Sequence, residues 1–221
     1  MNHQIRILST KKLLQSQKQF LLNAGFSVVD ADFIEIGHKT PELRNVNDNL
    51  IFTSSNAVRS VIEETSDLKS RPCFCVGPKT KELLENNGFK INEFAENAAE
   101  LGKIISEKYR DESFTFFTGN LTLETLPGIL RNANMKLDVI EVYETMLTPV
   151  KINTPSDGIL FFSPSGIESY LRANEINDET CFCIGSTTAK ALENITDKIV
   201  IANQPTIENT IIQTINHYKN A

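Results

Sequence analysis

Short apolar runs alternate with longer amphipathic stretches along the whole chain. Runs such as Leu50-Ile51-Phe52, Cys73-Phe74-Cys75-Val76 and Ile159-Leu160-Phe161-Phe162 are aromatic or β-branched and end in Gly, Ser, Thr or Pro. Continuous apolar runs of this length read as strands buried on both faces, and the stretches between them read as helices. The first half predicts strand 4–8, helix 11–24, strand 28–36, strand 49–53, helix 56–65, strand 73–76, helix 79–87, strand 90–94 and helix 98–109. The second predicts strand 114–117, helix 120–133, strand 136–143, strand 158–162, helix 165–174, strand 181–184, helix 187–195, strand 198–202 and helix 206–218. Strands alternating with helices predict an α/β protein of two small doubly wound parallel sheets, about five strands each, with helices on both faces.

The two halves share one order because the sequence repeats itself. Cys73-Phe74-Cys75-Val76-Gly77-Pro78-Lys79-Thr80 returns as Cys181-Phe182-Cys183-Ile184-Gly185-Ser186-Thr187-Thr188, an offset of 181 − 73 = 108. Leu84-Glu85-Asn86 returns as Leu192-Glu193-Asn194 at the same offset, and Leu21, Asn23 and Ala24 answer to Leu130, Asn132 and Ala133 at 109. The repeat breaks near 110–113. Alternate residues of a strand share a face, so each Cys-x-Cys pair reads as two buried thiols, whereas a zinc knuckle spaces its cysteines further apart in a turn. His3, His38 and His217 share no spacing with each other or with a cysteine pair, and no metal is expected.

Charge and composition exclude several classes. The 221 residues carry 22 basic and 28 acidic side chains, a balance of 22 − 28 = −6. That leaves no excess of positive charge for a nucleic-acid backbone. No apolar run approaches the ~18–20 residues of a membrane helix. The opening Met1-Asn2-His3-Gln4-Ile5-Arg6 lacks the charged-then-apolar pattern of a secretory signal, so a cytoplasmic protein is expected. Gly-x-Gly-x-x-Gly, Gly-x-x-x-x-Gly-Lys-Ser/Thr and Gly-x-Ser-x-Gly are all absent, which removes the usual signs of dinucleotides, nucleoside triphosphates and serine hydrolases.

The chemistry is concentrated in the strand-to-helix turns. Ser9-Thr10, Thr53-Ser54-Ser55-Asn56, Gly77-Pro78-Lys79-Thr80, Thr118-Gly119-Asn120, Ser163-Pro164-Ser165-Gly166, Gly185-Ser186-Thr187-Thr188 and Pro205-Thr206 are small and hydroxylic. Such residues cap helices by accepting orphan N–H groups. The same N–H groups, with the positive end of the helix dipole, also bind anions, and in open α/β sheets the turns line up where ligands bind. Two such edges facing each other would make a cleft lined by neutral donors.

These turns resemble the uroporphyrinogen-III synthase family along nearly the whole chain. The pieces that match are Leu50-Ile51-Phe52-Thr53-Ser54-Ser55-Asn56-Ala57-Val58, Val76-Gly77-Pro78-Lys79-Thr80, Val142-Tyr143-Glu144-Thr145, Phe161-Phe162-Ser163-Pro164-Ser165-Gly166, Ile184-Gly185-Ser186-Thr187-Thr188 and Gln204-Pro205-Thr206. The resemblance implies two flavodoxin-like domains joined by a two-stranded linker. One domain would be 1–33 with 146–221 and the other 38–141, with linkers at 34–37 and 142–145. It implies a cofactor-free hydro-lyase that closes hydroxymethylbilane into uroporphyrinogen III, losing water and inverting the last ring through a spiro intermediate.

Tyr143 would then donate a hydrogen bond or act as weak acid to the departing hydroxyl, although a strand tyrosine at the surface has the same signature. Ser54, Thr80, Ser163, Thr187 and Thr188 would bind the substrate's eight carboxylates. Lys79 and Lys190 would add charge there or lie on solvated helix faces. Many members carry Arg soon after the first strand, where this chain has Ser9-Thr10-Lys11-Lys12, keeping charge without a bidentate fork. The expected partners are the substrate and, transiently, the upstream hydroxymethylbilane synthase, with no nucleic acid or membrane, and the chain is expected to be a monomer. The competing reading is a non-catalytic two-domain module that binds a tetrapyrrole or another anion.

Overall fold

The computed structural model describes residues 4–40, 43, 45–62 and 67–219. His3 and the end of predicted helix 56–65, at 63–65, lie outside them. The first elements are β1 (Arg6–Ser9), α1 (Gln15–Asn23), β2 (Ser27–Asp30) and β3 (Ile34–His38). The middle of the chain forms β4 (Asn49–Phe52), α2 (Ser55–Val61), β5 (Pro72–Val76), α3 (Pro78–Asn86), β6 (Lys90–Ala95), α4 (Ala98–Lys108), β7 (Ser113–Gly119), α5 (Thr125–Asn132) and β8 (Lys136–Leu147). The last part forms β9 (Gly158–Phe161), α6 (Pro164–Leu171), β10 (Thr180–Cys183), α7 (Ser186–Lys190), β11 (Ile199–Ile201) and α8 (Ile207–Lys219). The chain divides into two compact units, Met1–Glu35 with Met146–Ala221, and Ile36–Thr145.

Each unit is a doubly wound sheet. The outer unit has the order β11-β10-β9-β1-β2, all parallel. The inner unit has β8-β7-β4-β5-β6, also parallel, with β3 added beyond β8. Counting β9, β10, β11, β1, β2 and β4, β5, β6, β7, β8 each as one to five, both orders are 3-2-1-4-5. Strand order therefore reverses between β9 and β1, and between β4 and β7, the points at which open α/β sheets bind ligands. The chain passes between the units through β3 and β8. Lys39 N donates to Val142 O at 3.0 Å and Thr148 N to Phe33 O at 2.9 Å, a falling register that makes this pair antiparallel.

The period of two along each strand sorts the core into layers. In the inner unit, Leu50, Phe52, Cys73, Cys75 and Phe117 face the layer with Ala57, Val58 and Leu84 of α2 and α3. Ile51, Phe74, Phe114 and Phe116 face Leu101, Ile105, Leu126 and Leu130 of α4 and α5. The outer unit repeats this: Cys181 and Cys183 face α6 and α7, while Phe182 faces α1 and α8. The Cys-Phe-Cys triplets are thus strand centres with thiols on one face and a ring on the other. Burial holds the thiols of Cys73, Cys181 and Cys183 up to about 12 and that of Cys75 up to about 11.

Several predicted boundaries move, each for a local reason. Predicted strand 28–36 is two strands in different sheets, because the chain leaves β2 at Ala31 and sends Phe33, fully buried, against Tyr170. Helix α1 begins at Gln15, not 11, since the Asp32 and Asp30 carboxylates take the Lys12 and Leu13 amides at 2.9 and 3.1 Å. The Gln17 side chain then accepts from Leu14 N at 3.0 Å. Helix α5 begins at Thr125, not 120, because Asn120 and Thr122 spend their side chains on backbone outside a helix. Helix α7 ends at Lys190 and residues 191–195 continue only as turns.

Candidate functional site

At the carboxyl rim of the inner sheet, each strand end presents a different polar device. After β4, Ser54 is the N-cap of α2, its Oγ accepting from Asn56 N at 3.1 Å. After β5, Gly77 turns the chain at φ 83°, a left-handed conformation that suits glycine, and Pro78 opens α3. Thr80, one turn in, is 4% exposed. After β7, Gly119 and Asn120 lead into the loop before α5, and Tyr143 stands on β8 beside them.

Tyr143 is half-buried, and its ring packs on the layer that holds Phe52, Phe117 and Val142. The β7–β8 register shifts just before it, from Thr118 opposite Glu141 to Gly119 opposite Tyr143. The ring then lies directly over Gly119. A Cβ at 119 would stand 2.5 Å from Tyr143 Cε2 and 2.9 Å from the hydroxyl oxygen, and closer still to Cζ. Only glycine leaves room for the phenol in this pose. Tyr143 thus lays its ring over the end of β7, the strand that meets β4 at the switch point. Among the described residues none hydrogen-bonds its hydroxyl.

The outer rim carries the other hydroxyls. Ser163 caps α6 after β9, its Oγ accepting from Gly166 N at 3.0 Å and lying 3.0 Å from Ser165 Oγ. After β10, Thr187 and Lys190 are exposed, while Thr188 is 3% exposed. Thr80 and Thr188 are the same position of the repeat, 188 − 80 = 108, and both sit inside the first turn of their helices. No described residue hydrogen-bonds either hydroxyl, yet neither is sealed in as Ser169 Oγ is, so the sliver of surface each keeps reaches its oxygen. Ser54, Thr80 and Tyr143 thus share one rim, and Ser163, Thr187 and Thr188 share the other. Gly119 and Asn120 were visible in the sequence only as a turn. What marks them is their register against Tyr143, which needs the sheet.

Two cavities of the described residues lie away from these rims. One of about 500 Å³ opens between Asp48, Asp111 and Lys136, and one of about 380 Å³ between Lys151, Asn174 and Glu179, both at the amino ends of the strands. Among the described residues no group of three His, Cys, Asp or Glu could hold a metal ion, and no helix is long and apolar enough to cross a membrane.

Two doubly wound units of one topology, taken with the match of the sequence, mark a cyclising lyase of porphyrin biosynthesis. The family model of uroporphyrinogen-III synthase HemD covers residues 16–212, which is 212 − 16 + 1 = 197 of 221. The chain belongs to the uroporphyrinogen-III synthase family. Among solved structures, uroporphyrinogen-III synthetase from Helicobacter pylori aligns with a TM-score of 0.71 at 19% identity, over 97% of this chain and 100% of that one. A mutant uroporphyrinogen III synthase from the extremely thermophilic bacterium Thermus thermophilus gives 0.72 at 13% identity, over 98% and 99%. At these identities the likeness is one of fold. No curated protein matches the sequence.

Proposed function

We propose that the chain closes hydroxymethylbilane into uroporphyrinogen III, with Tyr143 assisting loss of the terminal hydroxyl. The electron pair of the adjacent pyrrole nitrogen pushes the hydroxyl out. The carbon–oxygen bond breaks; with the phenol's proton delivered to the oxygen the group leaves as water, and with only a hydrogen bond from the phenol it leaves as a stabilised hydroxide. A phenol has one O–H to donate, as that role requires. The exposed carbon is then attacked by the already substituted α-carbon of the last ring, giving a spiro intermediate. The bond from that α-carbon to its old methylene bridge breaks, and the methylene re-forms its bond at the ring's free α-carbon. That second carbon loses its proton, which leaves the last ring inverted. Unassisted closure gives the uninverted isomer, so the protein's contribution is largely to orient a flexible chain.

Carboxylates of the substrate take hydrogen bonds at Ser54 and Thr80 on one rim and at Ser163, Thr187 and Thr188 on the other. Ser54 and Ser163 already accept from their own helices, so Ser54 offers its hydroxyl proton, while Ser163 and Ser165, bonded to each other, have one hydroxyl proton to offer between them. Hydrogen bonds to an ionised acceptor are stronger than neutral ones, which suits a protein of net charge −6 binding an acid. Segments 34–37 and 142–145 serve as the linkers. In this reading the chain works as a monomer in the cytoplasm and takes its substrate from hydroxymethylbilane synthase through a brief contact, because the free bilane closes spontaneously.

The observation that carries the reading is the phenol over Gly119, with no protein partner for its hydroxyl among the described residues. The test supplies fresh hydroxymethylbilane and resolves the uroporphyrin isomers after oxidation. Isomer III is expected, and Tyr143→Phe should lower kcat by about 10–10³-fold. Isomer I alone, at the rate seen in buffer, overturns the activity. An unchanged kcat in Tyr143→Phe overturns the role of the tyrosine.

A further inference from the structure

We infer that Asn120 is a positioning residue for Tyr143, its side-chain amide fixing the stretch of β8 from which the phenol projects. The inference rests on the reading of Tyr143 given above. The pairing of β7 with β8 ends at Gly119 opposite Tyr143, immediately after the register shift. There β7 turns away into the loop before α5, and β8 continues to Leu147. Without a substitute, β8 would lose its support on that side one residue after the tyrosine.

Asn120 is the substitute. Its Oδ1 accepts from Thr145 N at 2.8 Å and its Nδ2 donates to Thr145 O at 3.2 Å. The carboxamide thereby imitates the N–H and C=O of a missing strand residue and extends the ladder two residues beyond Tyr143. The loop that holds Asn120 is itself tied. Thr122 Oγ1 donates to Gly119 O at 2.7 Å, and the Thr118 and Thr122 hydroxyls are hydrogen-bonded to each other. Tyr143 is therefore gripped by the Gly119 rung on one side and the Asn120 clamp on the other. A carboxylate could accept from Thr145 N but could not donate to its carbonyl, and an alkyl group could do neither. Asn120 is exposed, so its loss should affect placement of the phenol more than folding.

The test compares Asn120→Ala, Tyr143→Phe and the double variant on hydroxymethylbilane. Asn120→Ala should lower kcat about 10–100-fold with little change in KM, since a misplaced catalytic group costs rate more than binding. Its melting temperature should stay near that of the wild type. In the double variant kcat should be no lower than in Tyr143→Phe alone, because Asn120 acts through the hydroxyl that is already gone. If Asn120→Ala melts early, Asn120→Asp keeps the bond from Thr145 N and should fall between the two in kcat. Full kcat in Asn120→Ala beside a slow Tyr143→Phe overturns the inference and leaves the tyrosine's role intact. Losses that multiply in the double variant also overturn it, because Asn120 would then act on its own. Full kcat in Tyr143→Phe removes the role of the tyrosine and this inference with it.

Discussion

The strand next to the switch point ends very differently in the two units. In the outer unit, β1 stops at Ser9, and the turn that follows is closed on itself. Thr10 is buried with its hydroxyl on Leu160 O at 2.7 Å, and the Lys12 and Leu13 amides are taken by Asp32 and Asp30. Burial pushes the Asp30 carboxyl upward, but the hydrogen bonds from Lys18 and Leu13 and the Lys18 charge outweigh it, and it lies below the usual carboxylate range. That corner spends its amides internally, and its two carboxylates are paired in turn, Asp32 with Lys12 at 3.9 Å and Asp30 with Lys18 at 2.8 Å. In the inner unit, β7 runs on to Gly119, and no carboxylate among the described residues bonds the amides of the turn; the Asn120 carboxamide is spent on Thr145, and the corner offers the Tyr143 phenol. One topology used twice has thus yielded one corner closed on itself and one whose phenol hydroxyl has no partner among the described residues.

The sharpest way to break this comparison is to alter both corners by small changes. Gly119→Ala puts a methyl where the Tyr143 ring lies, and the ring, being half-exposed, can swing aside. The fold should survive while kcat drops about 10–10³-fold, approaching Tyr143→Phe. Thr10→Val removes the hydrogen bond to Leu160 O and should lower stability by about 1 kcal/mol while leaving kcat of the folded protein alone. Steady-state kinetics and thermal melts of the pair check this. The reverse pattern, with activity lost at Thr10 and kept at Gly119, would mean that the corners have been assigned the wrong way round.

What could be read from the sequence divides along the same line. The layers were legible because Cys-Phe-Cys and Leu-Ile-Phe runs announce strands buried on both faces, and the 108-residue repeat forces the two units to agree. Hydroxyl turns at strand ends were legible too, since Ser54 and Ser163 are ordinary cap residues in ordinary cap positions. The break after β2 was not, because Val28-Val29 and Ile34-Glu35-Ile36 carry one strand-like pattern. It takes the packing of Phe33 on Tyr170 to separate them. Nor could Gly119 and Asn120 be told from any other turn. What sets them apart is contact with residues 143 and 145, more than twenty positions away in sequence and adjacent only across a ladder.

A second, smaller effect asks whether the rims are alike where the corners are not. Thr80 and Thr188 occupy one position of the repeat, both nearly buried, both with hydroxyls that no described residue bonds. Replacing either by Val keeps the shape and removes only the donor. Each should raise KM by about 3–10-fold, the equivalent of roughly 1 kcal/mol for one hydrogen bond, with kcat little changed. Equal effects would show that both units grip the substrate. An effect in Thr80→Val alone would confine binding to the inner rim and sharpen the contrast between the units.

The smallest effect concerns the part of the units that should not differ at all. Both cores carry a buried thiol pair whose pKa burial raises from 9.0, to about 12 and about 11 in the inner unit and to about 12 for both in the outer. An unfolded thiol releases its proton as pH passes about 9, while the folded thiol keeps it. The stabilisation is therefore whole below about pH 9 and is lost as pH rises toward the folded values. Melting temperature should fall by a few degrees between about pH 8 and pH 9.5. Replacing Cys73 and Cys75 by Ala should remove as much of that slope as replacing Cys181 and Cys183, because burial, the largest cause, acts on every one of the four. At about pH 8 none of these thiols should react with an aromatic disulfide until the protein unfolds. A pair that reacts in the native state would show that one core opens where the other does not, carrying the asymmetry of the corners into the interior.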